Sequence, residues 1–508
     1  MTLCALICLV ALAAAPRPPA DVPLSHWAYP LLERLASRGV LDLDLTTRPV
    51  SRAAVADALR AADADEASRA AELTERESWA IDRLRAEFLR AEVDAPVFSA
   101  RDEAAAVGLG VRALTSYERA AFHDDADDGR PDVSVTVSYD LWGGVSDAVG
   151  FYSEADVVLG GQEGARTERL SSRARTWRGV AATAELAYLK LERPGYSVAV
   201  GRRDPAWGRS ERGRLLISGS AATMDELEAR FTVGPWSFLA LHGLLERPPD
   251  ARDGLGEDER VFLAAHRVSV RGALGSISVS EAVVYSSVMP DPVYLNPLVP
   301  FYLSQHNERS DDNVLWALDF LARPRRGLDL YGEFVVDDLQ YERSTGHPDK
   351  YGATVGLTAY AAPLGIDAEI TAEYSNVRKW TYTHQLPWHA VAQDGKPLGF
   401  ELGPDADRLT LEVTAHPSPA WSVGVSYSRA RKGEGTIVEP FEQGSDPDPS
   451  FPSGVVETTD RVGVECSYEN LDGLRAFLSA AGVFVRNRDH GPEDDHGWEV
   501  RAGIGFRI

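Results

Sequence analysis

The sequence predicts a mainly β protein: a closed antiparallel transmembrane β-barrel of about eighteen strands, preceded by a small periplasmic α-helical bundle. Three observations lead there. Period-two segments of roughly ten residues recur from about Val107 to Ile508. They are joined alternately by very short turns and long polar loops. Beyond the N-terminus, no segment approaches the ~18 consecutive apolar residues that a membrane-spanning helix needs.

In chain order, Leu3 to Ala15 is a short apolar run ending in Ala13-Ala14-Ala15 before Pro16. That pattern predicts a secretory signal segment over residues 1–20, although no Lys or Arg precedes it. Its removal takes away Cys4 and Cys8 and leaves Cys466, so no intramolecular disulfide is expected.

Residues 21–98 read as helical. Leu31, Leu32 and Leu35 fall at helical spacing, and Gly39 supplies a helix stop. Ser51 is a good N-cap for a second helix through Val55 and Leu59. A third starts near Thr74, with Trp79, Leu84 and Phe88 as its apolar positions.

Over residues 99–508 the period is two. Ile366, Ala368, Ile370, Ala372 and Tyr374 alternate with Asp367, Glu369, Thr371 and Glu373. Trp498, Val500, Ala502, Ile504, Phe506 and Ile508 form one face of the last segment, with Glu499, Arg501, Gly503, Gly505 and Arg507 on the other. Such faces suit lipid outside and a wet lumen inside. A soluble sandwich also alternates, but has no reason to keep short and long connections in strict alternation. Short joints fall at Arg193-Pro194, Gly234-Pro235, Gly272-Ala273, Pro324 to Gly327, Pro363-Leu364 and Pro417 to Pro419. Long loops fall near 161–180, 202–227, 244–258, 288–312, 377–406, 431–460 and 486–496.

The formal net charge of −25 argues against a nucleic-acid partner, because a phosphate backbone would be repelled. The mean hydropathy of −0.22 is compatible with a barrel, in which only alternate residues meet lipid.

Several stretches invite chemical readings. Asp21 to Tyr29, with Arg48-Pro49-Val50-Ser51-Arg52 downstream, resembles the start and end of a surface-layer homology module. The resemblance implies binding of cell-wall polymer, but Ala54 stands where an acidic residue belongs. The competing reading is a packed helical plug with Trp27 and Tyr29 in its core. His123 to Gly129 looks calcium-like but breaks the ligand alternation at Ala126 and has Val135 at the closing position. His490, Glu493, Asp494, Asp495 and His496 offer divalent-ion donors. Asp337 and Asp338 are strand neighbours facing opposite ways, so they do not flank one bond as a catalytic pair. No nucleophile elbow, phosphate loop or zinc-protease motif is present, and no catalytic residue or cofactor is expected.

The run Gly201-Arg202-Arg203-Asp204-Pro205-Ala206-Trp207-Gly208, followed by Arg214-Leu215-Leu216-Ile217-Ser218, resembles a stretch of the Wzi capsule-assembly family of outer-membrane barrels. This copy has one residue fewer between Pro205 and Trp207. Leu295-Asn296-Pro297, Asp312-Asn313 with Trp316 and Asp319, Tyr331-Gly332-Glu333, Gly403 to Arg408, and Arg431-Lys432-Gly433 follow the family order.

The resemblance implies a lectin-like protein that holds capsular or exopolysaccharide at the cell surface without catalysis. Sugar rings are gripped by aromatic faces and by fixed polar groups, and guanidinium groups suit uronic-acid carboxylates. Candidate contacts are Arg203, Asp204, Trp207, Arg209, Arg212 and Arg214, with Trp380 and Trp388 in a second aromatic loop. The alternative for both loops is packing, with the Trp-Gly turn folding its loop into the lumen. Competing functions are a porin-like diffusion channel for small polar solutes and an envelope tether through the helical module. Outer-membrane lipid is the expected surrounding partner.

Overall fold

The computed structural model describes residues 19–64, 73–89, 98–101, 105–122, 132–145, 148–160, 175–178, 180–247, 254–308, 310–339, 346–470 and 473–507. Residues 1–18 of the expected signal segment over 1–20, and the His123–Gly129 tip, lie outside the described residues.

Eighteen antiparallel strands close on themselves. They are β1 Ala105–Phe122, β2 Asp132–Val145, β3 Val149–Gly160, β4 Val180–Arg193, β5 Tyr196–Arg203, β6 Met224–Val233, β7 Trp236–Leu245, β8 Arg260–Gly272 and β9 Gly275–Ser287. The second half comprises β10 Asn313–Arg325, β11 Leu328–Asp338, β12 Lys350–Ala361, β13 Asp367–Val377, β14 Ala406–Ser418, β15 Trp421–Lys432, β16 Glu457–Glu469, β17 Arg475–Arg486 and β18 Asp495–Arg507. Closure is between β18 and β1, in register from Gly497↔Phe122 to Arg507↔Arg112. Phe98–Arg101 adds a short hairpin onto β1.

The alternation read from sequence is the alternation of the wall. Along β10, Trp316, Leu318 and Phe320 are exposed, whereas Leu315, Ala317, Asp319 and Leu321 are buried. The exposed set continues sideways, with Leu318 opposite Phe334 of β11 and opposite Val279 of β9. A continuous apolar belt of this kind is unfavourable in water and suits hydrocarbon.

Pro194-Gly195, Gly234-Pro235, Ala273-Leu274 and Arg326-Gly327 are two-residue turns, closed by the pairs Arg193↔Tyr196, Val233↔Trp236, Gly272↔Gly275 and Arg325↔Leu328. Gly195 takes φ +85° and Gly234 φ +57°, a region where a Cβ is strained. All these turns lie at one end of the barrel, and the long connections lie at the other.

Among the described residues, three helices precede the barrel: α1 Ala28–Ser37, α2 Arg52–Ala64 and α3 Glu75–Phe88. Three of their ends are those the sequence predicts. After α1, Gly39 at φ +72° donates to Ala36 O while Val40 donates to Leu35 O, the paired bonds of a glycine C-cap. Ser51 Oγ accepts from the Ala53 N–H, and Thr74 forms a capping box with Glu77. Tyr29, Leu32, Leu35, Val55, Leu59, Leu84 and Phe88 share one core, with Trp27 packed at its edge.

This module is not a free-standing bundle. It packs into the short-turn mouth and plugs it. Arg34 donates to Asp367 of the inner wall at 2.8 Å. Ser37 Oγ donates to Asp329 at 2.7 Å, and the Gly327 N–H donates to Ser37 O at 2.9 Å. Arg83 of α3 pairs with Glu469 at the end of β16.

One loop expected to be polar is not. Between β9 and β10 the chain forms two further helices, α4 Pro292–Leu295 and α5 Phe301–Glu308. They pack on outward-facing residues of the wall, including Phe262, Ala264, Val283 and Tyr285.

Candidate functional site

The Arg-rich run begins where β5 enters its loop. Arg203, the last residue of β5, points inward and is 1% exposed. Its guanidinium donates to Asp21 of the helical module at 2.8 Å and to Glu226 of β6 at 2.9 Å, with Glu228 at 3.2 Å. Lys190 of β4 completes the cluster, donating to Asp21 at 2.5 Å. Burial opposes ionisation of Asp21, yet Lys190 and Arg203 hold its carboxyl below the usual range. Next door, Asp204 accepts from the Leu24 N–H at 3.1 Å, and burial pushes its carboxyl up to about 7.

From Asp204 the chain dives into the lumen. Ala206–Trp207 forms a two-residue antiparallel ribbon with Thr47–Arg48 of the helical module. The Gly208 N–H donates to Thr46 O at 2.8 Å. Gly208 has φ +100°, and a Cβ there would lie 2.8 Å from Glu333 Oε2. Trp207 is sealed in the largest core of the molecule, with Arg267 5.8 Å from its ring. Arg209 bridges Glu33 of α1 at 3.2 Å and Asp329 of β11 at 3.4 Å. Ser210 Oγ donates to Glu373 at 2.7 Å, and the Leu216 N–H donates to Glu333 at 3.1 Å. Arg214 is buried and donates to the carbonyls of Gly208 and Ser218, both at 3.2 Å.

The second aromatic loop, residues 378–405, closes over the first from the long-loop end. Tyr382 Oη donates to Leu215 O at 2.5 Å, and the Ser218 N–H donates to Leu398 O at 2.8 Å. Arg247 reaches in from the β7–β8 connection to donate to Trp388 O at 2.7 Å and Ala390 O at 2.9 Å. Asp405, at φ +57°, gathers the neighbouring loop by accepting from the N–H groups of Gly435 at 3.0 Å and Ser453 at 2.9 Å. Asp405 lies in one of the family-like stretches, but its role as an organiser was not legible there.

The plug therefore has three tiers: helical module, Asp204–Thr223 segment and 378–405 loop. Arg203, Trp207, Arg209 and Arg214 are enclosed within it, and Asp204 is tied to the helical module. The four enclosed residues face protein on all sides and present no free surface to a polymer. Among these candidates Arg212 alone is exposed; it pairs with Glu412 at 3.1 Å beside an uncovered stretch of inner wall that includes Glu465 and Arg501. Trp380 and Trp388 are half-buried near the outer rim. Trp380 stacks edge-on with Phe441 at 5.4 Å and carries Lys379 Nζ 4.9 Å from its ring.

The acidic histidine loop is also occupied by protein partners. Arg488 pairs with Asp495, and His490 Nδ1 lies 2.8 Å from Val455 O. Among the described residues, no group of three or more His, Cys, Asp or Glu is placed to hold a metal ion. Asp337 accepts from the Tyr382 N–H at 2.5 Å, a structural bond within the plug.

A closed even-stranded barrel with an apolar outer belt, polar inner wall and alternating turns and loops defines an outer-membrane β-barrel protein. Within that class, the chain has the fold of Wzi from Escherichia coli, described as an outer-membrane protein involved in group 1 capsule assembly and a carbohydrate-binding β-barrel. The two match at a TM-score of 0.63 and 15% identity, over 96% of this chain and 99% of that one. OccD3 of Pseudomonas aeruginosa matches at a TM-score of 0.45 and 13% identity, over 79% of this chain and 92% of that one. A BenF-like porin from Pseudomonas fluorescens Pf-5 matches at 0.46 and 11%, over 79% and 98%. No protein-family model matches the chain, and no curated protein does.

Proposed function

We propose that this barrel is a non-catalytic, lectin-like retention or assembly factor for capsular or exopolysaccharide at the cell surface. One observation carries the reading: the Asp204–Thr223 segment lies inside the lumen, bonded to the helical module below and the 378–405 loop above. A diffusion channel gains nothing from such a barrier, whereas a surface anchor needs a rigid platform of loops. The likeness to Wzi spans nearly the whole of both chains and agrees with it.

The buried arginines build the platform. The polymer contacts fall to the outer rim, with Trp380, Trp388 and the loops that Asp405 gathers. Individual contacts of this kind are weak, and a repetitive polymer multiplies them.

Deleting the gene tests the proposal. Polysaccharide is expected to appear in the medium while its total synthesis continues. Unchanged retention at the surface overturns the proposal. Planar-bilayer recording supplies a second arm: a closed barrel is expected, and steady open pores favour the diffusion channel.

A further inference from the structure

The outer wall of β7–β9 breaks the pattern of the apolar belt. The outward row of β9 runs from Gly275 to Ser287 at every second residue. Between those ends it carries Ile277, Val279, Glu281, Val283 and Tyr285. The middle one is therefore a glutamate, at the height where its register partner on β10 is the outward Trp316. Glu281 faces His266 on β8, and His242 stands outward on β7 in the next row, opposite Ala264. Three ionisable side chains thus stand on the lipid side of the wall, where an unshielded polar group is costly.

The β9–β10 connection shields them. Glu281 accepts the first N–H groups of α5, from Phe301 at 2.9 Å and Tyr302 at 2.8 Å, and His266 Nε2 lies 3.0 Å from its carboxylate. His242 Nε2 lies 2.8 Å from Tyr285 Oη, which also accepts from the Asp291 N–H at 3.0 Å. Phe301 packs on His266 with ring centroids 4.5 Å apart. The connection therefore lies flat against the outside of the barrel, down to Glu281 at the middle of the outward row of β9.

Its own outer surface is apolar. From residue 292 to 305 there is no charged side chain, in a protein where one residue in four is charged. Leu298 is 81% exposed, Leu303 56% and Tyr302 53%. Tyr302, whose N–H bonds Glu281, and Leu303 lie in the first turn of α5, while the polar His306 and Asn307 lie toward the return to β10. The polarity thus runs along α5 as it does across a bilayer interface.

We infer that the segment around α5 is a lipid-embedded collar, whose face of Leu298, Tyr302 and Leu303 replaces the wall of β7–β9 in contact with acyl chains of the outer leaflet. Continuity with the belt selects this occupant: Trp316, Leu318 and Val279 flank the covered area and are themselves outward and exposed. The inference concerns anchoring and stands apart from polysaccharide binding.

The test uses the full-length protein with Cys4, Cys8 and Cys466 replaced. An environment-sensitive fluorophore is placed at Leu303→Cys, and in a second protein at Leu298→Cys, where the exposed side chain is not needed for packing. Val438→Cys, on the loop between β15 and β16, is the aqueous control. Each is reconstituted into phosphatidylcholine vesicles with or without nitroxide-bearing lipid. The collar predicts a several-fold stronger quenching by nitroxide lipid at positions 298 and 303 than at 438, and the reverse order with aqueous iodide. Iodide quenching equal to that at position 438 overturns the inference. Shielding from both quenchers, with cysteine cross-linking between copies, also overturns it and assigns the face to a second copy of the chain. Neither result bears on whether polysaccharide is retained.

Discussion

The Arg203 guanidinium donates to the Asp21 carboxylate at 2.8 Å across 182 positions of sequence. That contact locks the helical module to the start of the plug segment inside a low-dielectric lumen. Arg203→Leu leaves Asp21, Glu226 and Glu228 without their shared cation. Loss of one partner of a buried ion pair costs about 3–5 kcal/mol. Faster tryptic release of the helical module is expected, with the heat-resistant barrel band retained in electrophoresis; an unchanged digestion rate would refute the assignment.

Gly213 faces the inner wall so closely that a Cβ would lie 2.0 Å from Ser375 Oγ and 2.9 Å from Glu373 Oε1. Gly213→Val should expel the Asp204–Thr223 segment from its seat. Conductance in planar bilayers is expected to rise from closed to measurably open. A variant as closed as the parent would show that the segment does not gate the lumen.

Burial, the neighbouring His389 and Lys350 together pull His384 down to about 3. The free imidazole titrates near pH ~6.5, so between about 3 and 6.5 the unfolded loop binds more protons than the folded one. Stability of the 378–405 loop is therefore complete above pH 6.5 and falls as the pH drops through that window, by roughly 2 kcal/mol at pH 5. Protease cleavage within 378–405 should accelerate between pH 7.5 and 5, and His384→Phe should lessen the dependence, leaving the share of His389, which burial also pulls down.

The two kinds of tryptophan should behave differently. Trp207→Ala empties a buried core position and should cost about 3–5 kcal/mol of plug stability. Trp380→Ala and Trp388→Ala should weaken polysaccharide binding by about 1–2 kcal/mol each, read as polymer shed from cells, with thermal stability nearly unchanged. Equal loss of stability in all three would place the outer pair in the fold alone.

Much of this architecture was legible because its causes are local. Alternation sets the outward and inward rows of β13 and β18, and Gly195 and Gly234 mark turns their φ values require. Gly39, Ser51 and Thr74 end or start helices by bonds to residues within five positions. The plug was legible only as an alternative, for the opposite reason. Arginine is exposed by default, so Arg203, Arg209 and Arg214 read as ligand contacts. Their partners Asp21, Glu33, Asp329 and Glu226 sit on other elements, brought near only by closure. A signal did exist: the inward rows of β6, β11 and β13 carry Glu226, Glu228, Asp329, Glu333 and Glu373, more acid than a buried surface holds unpaired. The outer collar was missed because Glu281 and His266 interrupt alternation, and what covers them follows in a connection assumed to be polar.

The ribbon between Thr47–Arg48 and Ala206–Trp207 joins pieces that enter the cylinder through opposite openings. Each piece completes the seat of the other, so the bore is sealed there only when both are in place. A cell making the protein without its first helices would carry a leak, and would be expected to admit bulky antibiotics that its neighbours keep out.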